Sequence, residues 1–129
     1  MLSIRLTADK GRGVFAERLI QEGELIERAA VIPIPLDEVK HINPTVIYNY
    51  WFRWGADGTE RAVVLGLGSL YNHSYQPNAY YVRRLEELAI DFIARRKISP
   101  GEEICVNYNG RVDDLTPIVF DGPSLSWSE

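Results

Sequence analysis

Asn72-His73-Ser74-Tyr75-Gln76-Pro77-Asn78-Ala79 follows a run with almost no charge, Ala62-Val63-Val64-Leu65-Gly66-Leu67-Gly68-Ser69-Leu70-Tyr71. A hydrophobic approach therefore ends abruptly in a cluster of hydrogen-bonding groups. Asparagine carries donors and an acceptor, and neutral histidine carries one of each. Burying such groups costs free energy unless each finds a partner. Either the protein satisfies them itself or a ligand does. Taken alone, the stretch is also ordinary turn material, rich in Asn, Ser and Pro. Asn72-His73-Ser74 matches a glycosylation acceptor, which requires a secreted protein. Two further stretches of the chain decide between these readings.

Composition narrows the classes first. A chain of 129 residues, 46% of them hydrophobic, supports one domain with one proper core. The net charge of −4 argues against a nonspecific nucleic-acid binder, which needs a basic footprint, so no direct nucleic-acid partner is expected. It is compatible with a basic peptide partner. The single cysteine, Cys105, cannot form an internal disulfide or a cysteine-rich zinc site. The start, Met1-Leu2-Ser3-Ile4-Arg5-Leu6-Thr7, lacks the apolar core of a signal peptide. No run approaches the ~20 apolar residues of a membrane span. The expected setting is cytoplasmic, or the interior of a host cell for a viral or secreted protein, with no membrane partner.

Along the chain, Ile4 and Leu6 alternate with polar residues as in a first strand. Gly11-Arg12-Gly13 permits a tight backbone path and close approach of a ligand to the main chain. No third glycine follows, which excludes the dinucleotide fingerprint. Val14-Phe15-Ala16 reads as a strand, Ile20 to Glu24 as a turn, and Leu25 to Pro35 as extended chain whose prolines fit an edge or strand exit. Leu36 to Ile42 predicts a short helix with Asp37 and Glu38 in its first turn, stopped by Asn43-Pro44. The aromatic group Tyr48, Tyr50, Trp51, Phe52 and Trp54 follows. On a strand, Tyr48 and Tyr50 would share one face. Ala79 to Arg84 pairs with Leu88 to Ala94 as a hairpin, and Glu103 to Tyr108 forms one more strand after the turn at Pro100-Gly101. The fold class is mostly β, with few short helices and no strand–helix–strand alternation.

Three stretches now stand in order: Gly11-Arg12-Gly13-Val14-Phe15-Ala16, Asn72-His73-Ser74 with Pro77-Asn78-Ala79, and Gly101-Glu102-Glu103-Ile104 ending in Asn107-Tyr108. Each is weak alone. Their order and spacing resemble the SET domain of protein-lysine methyltransferases, in the short stand-alone form known from bacteria and large viruses. The resemblance covers roughly residues 4 to 110. It implies a SET domain at 1–110, a fold of several small sheets (the β-clip) with a C-terminal pseudoknot, and a tail at 111–129. It also implies S-adenosylmethionine as cofactor and a lysine-bearing protein, histone or other, as substrate.

The site residues follow from the same resemblance. The backbone around Gly11, Arg12 and Gly13 would contact the methionine part of the cofactor. Asn72 and His73 would hold it by side chain and backbone, His73 ranking second because part of its role is structural. Tyr108 matches the catalytic tyrosine. In methyl transfer a neutral amine attacks a methyl group on a cationic sulfonium, so lysine must first lose a proton from a group whose reference pKa is ~10.4. An apolar channel and a nearby like charge both favour that loss. No dedicated base is then obligatory, and Tyr108 serves to aim the amine. Tyr48 and Tyr50 would line the lysine channel. Val106, two before the tyrosine, bears on how many methyl groups are added.

This chain departs from many relatives in having no cysteine after Tyr108, so no metal is implied. Phe120 or Trp127 in the tail could instead stack on the adenine as a lid. The insert between Asn43 and Gly58 is short, leaving few walls to the groove, which makes a homodimer compatible with this form. The competing reading from another class is a non-catalytic, peptide-binding module on the same scaffold.

Overall fold

The computed structural model describes residues 1–118. Its strands are β1 (Leu2–Leu6), β2 (Arg12–Ala16), β3 (Leu25–Ile34), β4 (Phe52–Trp54), β5 (Glu60–Val64), β6 (Asn72–His73), β7 (Ala79–Arg84), β8 (Ala89–Ala94) and β9 (Glu103–Val106), with one α-helix, α1 (Leu36–Ile42). They form a four-stranded sheet, β1-β2-β9-β6, and a five-stranded sheet, β4-β5-β3-β8-β7. The mostly-β expectation holds.

The β1–β2 hairpin closes where Gly11 adopts a positive φ of 73°, a conformation in which a side chain would clash with the backbone. Thr7 accepts from Gly11 no proton but gives one, its hydroxyl donating to the Gly11 carbonyl at 3.0 Å while its amide does the same at 2.7 Å. β3 is long because Leu25 to Ile34 serves two partners in turn. Residues 25–30 pair with β8 and residues 31–34 pair with β5. Pro33 falls in the second part, where the β8 side is vacated and its missing N–H costs no ladder bond. Helix α1 starts and stops where its acidic first turn and Asn43-Pro44 predict.

Tyr48 and Tyr50 do not share a strand face. Val46–Asn49 is a 3-10 helix with Tyr50 just beyond it, and the Thr45 hydroxyl accepts from the Ile47 amide at its start. That cap outweighs the β-preference of the tyrosines.

The larger sheet curls until its two outer strands approach. Phe52 of β4 meets Tyr81 of β7 edge to face, with ring centroids 5.0 Å apart. Arg83 Nε of β7 donates to the Arg53 carbonyl of β4 at 2.8 Å. Tyr71, Ile90, Phe92 and Ile104 are all under 2% exposed and fill the core.

On the other face of β8 lies Asp91, a carboxylate only 3% exposed. Arg28 holds it bidentately at 2.6 and 2.8 Å, and Arg84 adds a bond at 3.0 Å. The hydrogen bonds from Arg28, then those from Arg84, draw its pKa from 3.8 down to about 2. A depressed carboxylate contributes stability that is complete above its unfolded pKa and is lost as pH falls through the folded one. Urea midpoints of the wild type should therefore fall between pH 4 and pH 2 more steeply than those of Asp91→Asn, which has no such proton to take up.

Candidate active site

Strands β6 and β9 run parallel, with Asn72 opposite Cys105 and His73 opposite Val106. This pairing joins stretches more than thirty residues apart and sets Tyr108 beside His73. The Tyr108 amide donates to His73 Nδ1 at 3.0 Å. The Tyr108 hydroxyl donates to the Tyr71 carbonyl at 2.7 Å. Tyr71 is fixed in turn, its hydroxyl donating to Glu27 at 2.7 Å, while the other Glu27 oxygen accepts from the Leu67 amide at 2.9 Å. Burial pushes the Tyr108 hydroxyl well above the ordinary tyrosine range. It therefore stays protonated at neutral pH.

Most of the hydrogen-bonding groups between Asn72 and Asn78 are satisfied within the protein. Asn72 donates to the Arg12 carbonyl at 2.9 Å and to the Glu103 carboxylate at 2.7 Å, a clamp across β2, β6 and β9. What its side chain offers a ligand is the amide oxygen. Gly13 exists to make room for this clamp. A Cβ there would sit 2.5 Å from Glu103 Oε2 and 2.9 Å from Asn72 Nδ2. Asn78 is also structural. It donates to the Glu103 carbonyl at 2.7 Å and accepts from the Cys105 amide at 2.9 Å, continuing the edge of β9.

One buried polar atom of the stretch lacks a partner among the described residues, His73 Nε2. Because Nδ1 accepts from Tyr108, the neutral ring carries its proton on Nε2. Burial first, and then the cation of Lys10, hold the His73 pKa below its usual value. The unfolded chain thus takes up the proton first as pH falls. The stability tied to the neutral ring is complete above the ordinary imidazole pKa of ~6.5 and is lost as pH falls from there through the folded value. NMR titration of a His41→Gln chain, which leaves one imidazole, should show His73 taking up its proton at lower pH in the folded chain than in the same chain unfolded in urea.

Two hollows meet at Tyr108. The larger, about 550 Å³, is lined by Tyr48, Tyr50, Phe52, Tyr71, Tyr81 and Tyr108 among others. The smaller is lined by Lys10, Arg12, Tyr50, Leu70, Asn72 and Tyr108. Tyr50 and Tyr108 thus belong to both.

The family comparison matches residues 11–109 to the SET domain. The chain belongs to the SET domain family. Among its relatives is a Schizosaccharomyces pombe histone-lysine N-methyltransferase, H3 lysine-37 specific, 36% identical over 108 residues that cover 83% of this chain and 72% of that protein. A Candida albicans histone-lysine N-methyltransferase, H3 lysine-36 specific, is 35% identical over 114 residues, 78% of this chain but only 13% of that much longer protein. A Plasmodium falciparum structure solved as a candidate histone methyltransferase superposes with a TM-score of 0.66 at 26% identity, covering 84% of this chain and 96% of that one. The methyltransferase domain of human SETMAR superposes at 0.68 and 23% identity over 85% of this chain and 45% of that one, a likeness of fold.

Within this SET domain the structure brings Tyr48, Tyr50 and Tyr108 to one cavity, and Lys10, Arg12, Asn72 and Tyr108 to the other. Gly11 and Gly13 stand behind the second, both buried. Val106 is fully buried and points into the core, away from either lining. Phe120 and Trp127 lie outside the described residues. Tyr81 was missed by the sequence reading, although its place two residues after Ala79 on β7 turns it inward with that core residue. Its hydroxyl donates to the Tyr108 carbonyl at 3.4 Å. No group of three or more His, Cys, Asp or Glu side chains among the described residues could hold a metal ion.

SET methyltransferases use S-adenosylmethionine; the smaller hollow, about 20 Å³, is too small to enclose it, but the residues around it carry donor and acceptor groups of the kind its amino-acid end needs. Lys10 and Arg12 supply cations for its carboxylate. The Asn72 amide oxygen is an acceptor for its amino group. His73, whose buried Nε2 has no partner among the described residues, lines neither hollow.

Proposed function

We infer that this SET domain methylates the side-chain amine of lysine in a protein substrate. The observation that carries the reading is the position of Tyr108, shared by a cation-lined hollow and an aromatic cavity. In this reading Lys10, Arg12, Asn72 and His73 hold S-adenosylmethionine, which when bound supplies a methyl group on a sulfonium. Tyr48, Tyr50, Phe52 and Tyr81 receive the lysine stem. Their rings take up its methylene chain, and the like charge of the bound sulfonium favours the neutral amine. The Tyr108 proton is committed to the Tyr71 carbonyl, so its oxygen presents acceptor lone pairs. An amine N–H donating to that oxygen has its own lone pair turned elsewhere, which is positioning for in-line attack.

Histone H3, named for both fungal relatives, is the first substrate to test. Purified protein with tritiated-methyl S-adenosylmethionine should label a lysine of histone H3 or of a lysine-bearing peptide pool. Tight cofactor binding with no label on any lysine would favour the non-catalytic module, and label on another residue type would sink the lysine assignment.

A further inference from the structure

Arg53, Arg61 and Arg83 line the aromatic cavity together. Of the other described arginines, Arg5, Arg18, Arg28, Arg84 and Arg96 each meet a carboxylate, whereas Arg12, Arg95 and Arg111, scattered over the surface, form no ion pair among the described residues. The three at the cavity have no such partner among the described residues. Their placement is unfavourable in the free protein. Arg53 and Arg61 are direct cross-strand partners on β4 and β5, and like charges so opposed destabilise a sheet. Two of the three are nevertheless held in place. Arg61 donates to the carbonyls of Gly58, Thr59 and Glu60. Arg83 donates to the Arg53 carbonyl and lies 5.6 Å over the Tyr81 ring. Asp114, the carboxylate among the lining residues, is turned to the amide and hydroxyl of Thr116.

Three guanidinium groups around one aromatic cavity, in a chain of net charge −4, concentrate positive charge there. We propose that this arginine rim reads an acidic side chain of the substrate, so that the methylated lysine lies within a few residues of an aspartate or glutamate. The proposal rests on the methyltransferase reading above and narrows its substrate class. Guanidinium matches carboxylate bidentately, which selects by geometry as well as charge. A nucleic-acid phosphate would meet the same chemistry here, but the acidic remainder of the chain opposes a polyanion.

The test is a set of short peptides with one central lysine and Glu, Gln or Arg at each flanking position in turn. Glu should raise kcat/KM about 10-fold over Gln at one or two positions, through KM. Arg53→Gln and Arg83→Gln should bring that ratio towards one, and Arg83→Glu should transfer the preference to the Arg peptide. Equal turnover of all three peptides overturns the proposal, as does a preference for Arg or stronger inhibition by single-stranded RNA than by the Glu peptide. If turnover is undetectable, anisotropy of labelled Glu and Gln peptides decides it by the same ratio. Loss of S-adenosylmethionine binding, measured separately by calorimetry, would instead strike the methyltransferase reading.

Discussion

Tyr108→Phe is expected to lower kcat by about 100-fold or more while leaving S-adenosylmethionine affinity within a few-fold. The substitution removes one oxygen with three consequences. The oxygen that would accept from the lysine amine disappears from the junction of the two hollows. The Tyr71 carbonyl loses its partner at 2.7 Å, and an unsatisfied buried carbonyl costs about 1–3 kcal/mol. The backbone bond from the Tyr108 amide to His73 is untouched, so the strand pairing that builds the cofactor side remains. The effect should thus fall on kcat, with a modest loss in Tm. Single-turnover methylation beside a thermal melt separates the two. A variant with wild-type kcat would remove Tyr108 from the chemistry. Equal losses of turnover and cofactor affinity would make it a structural residue.

The sequence showed which residues matter sooner than it showed what they do. The hairpins β1–β2 and β7–β8 were legible because apolar alternation and turn residues are local signals. The parallel pairing of β6 with β9 was not, because two residues carry no period and the partner is remote. Asn72 therefore read only as a ligand for the cofactor, and the clamp its two amide protons make with Arg12 and Glu103 was not legible. The 3-10 helix at Val46–Asn49 was hidden by tyrosines that favour strands, since its cap depends on the Thr45 hydroxyl. The role of Tyr81 and the arginine rim depends on the curl that brings β4 to β7. Curl is a property of the whole sheet, and no window of sequence reports it.

Gly13→Ala should be strongly destabilising, although alanine has the better intrinsic propensity outside turns. The new Cβ would stand 2.5 Å from Glu103 Oε2, 2.9 Å from Asn72 Nδ2 and 3.0 Å from Thr7 Cγ2. Glu103 can swing away only by releasing Asn72, and Asn72 can yield only by releasing the Arg12 carbonyl. Overpacking together with a broken charge-assisted hydrogen bond costs about 3 kcal/mol, or a fall in Tm of roughly 10 °C for a domain of this size. Asn72→Ala breaks the same clamp from the other side and should cost about 2 kcal/mol, leaving the Glu103 carboxylate without its amide partner. Because both changes act on one clamp, the double variant should lose clearly less than the sum of the two. Urea denaturation of the four chains measures this coupling directly. Additive losses would mean that Gly13 makes room for something other than the Asn72–Glu103 pair. A Gly13→Ala chain as stable as wild type would mean that the clamp relaxes, and the double glycine would then have to be explained by what approaches the backbone from outside.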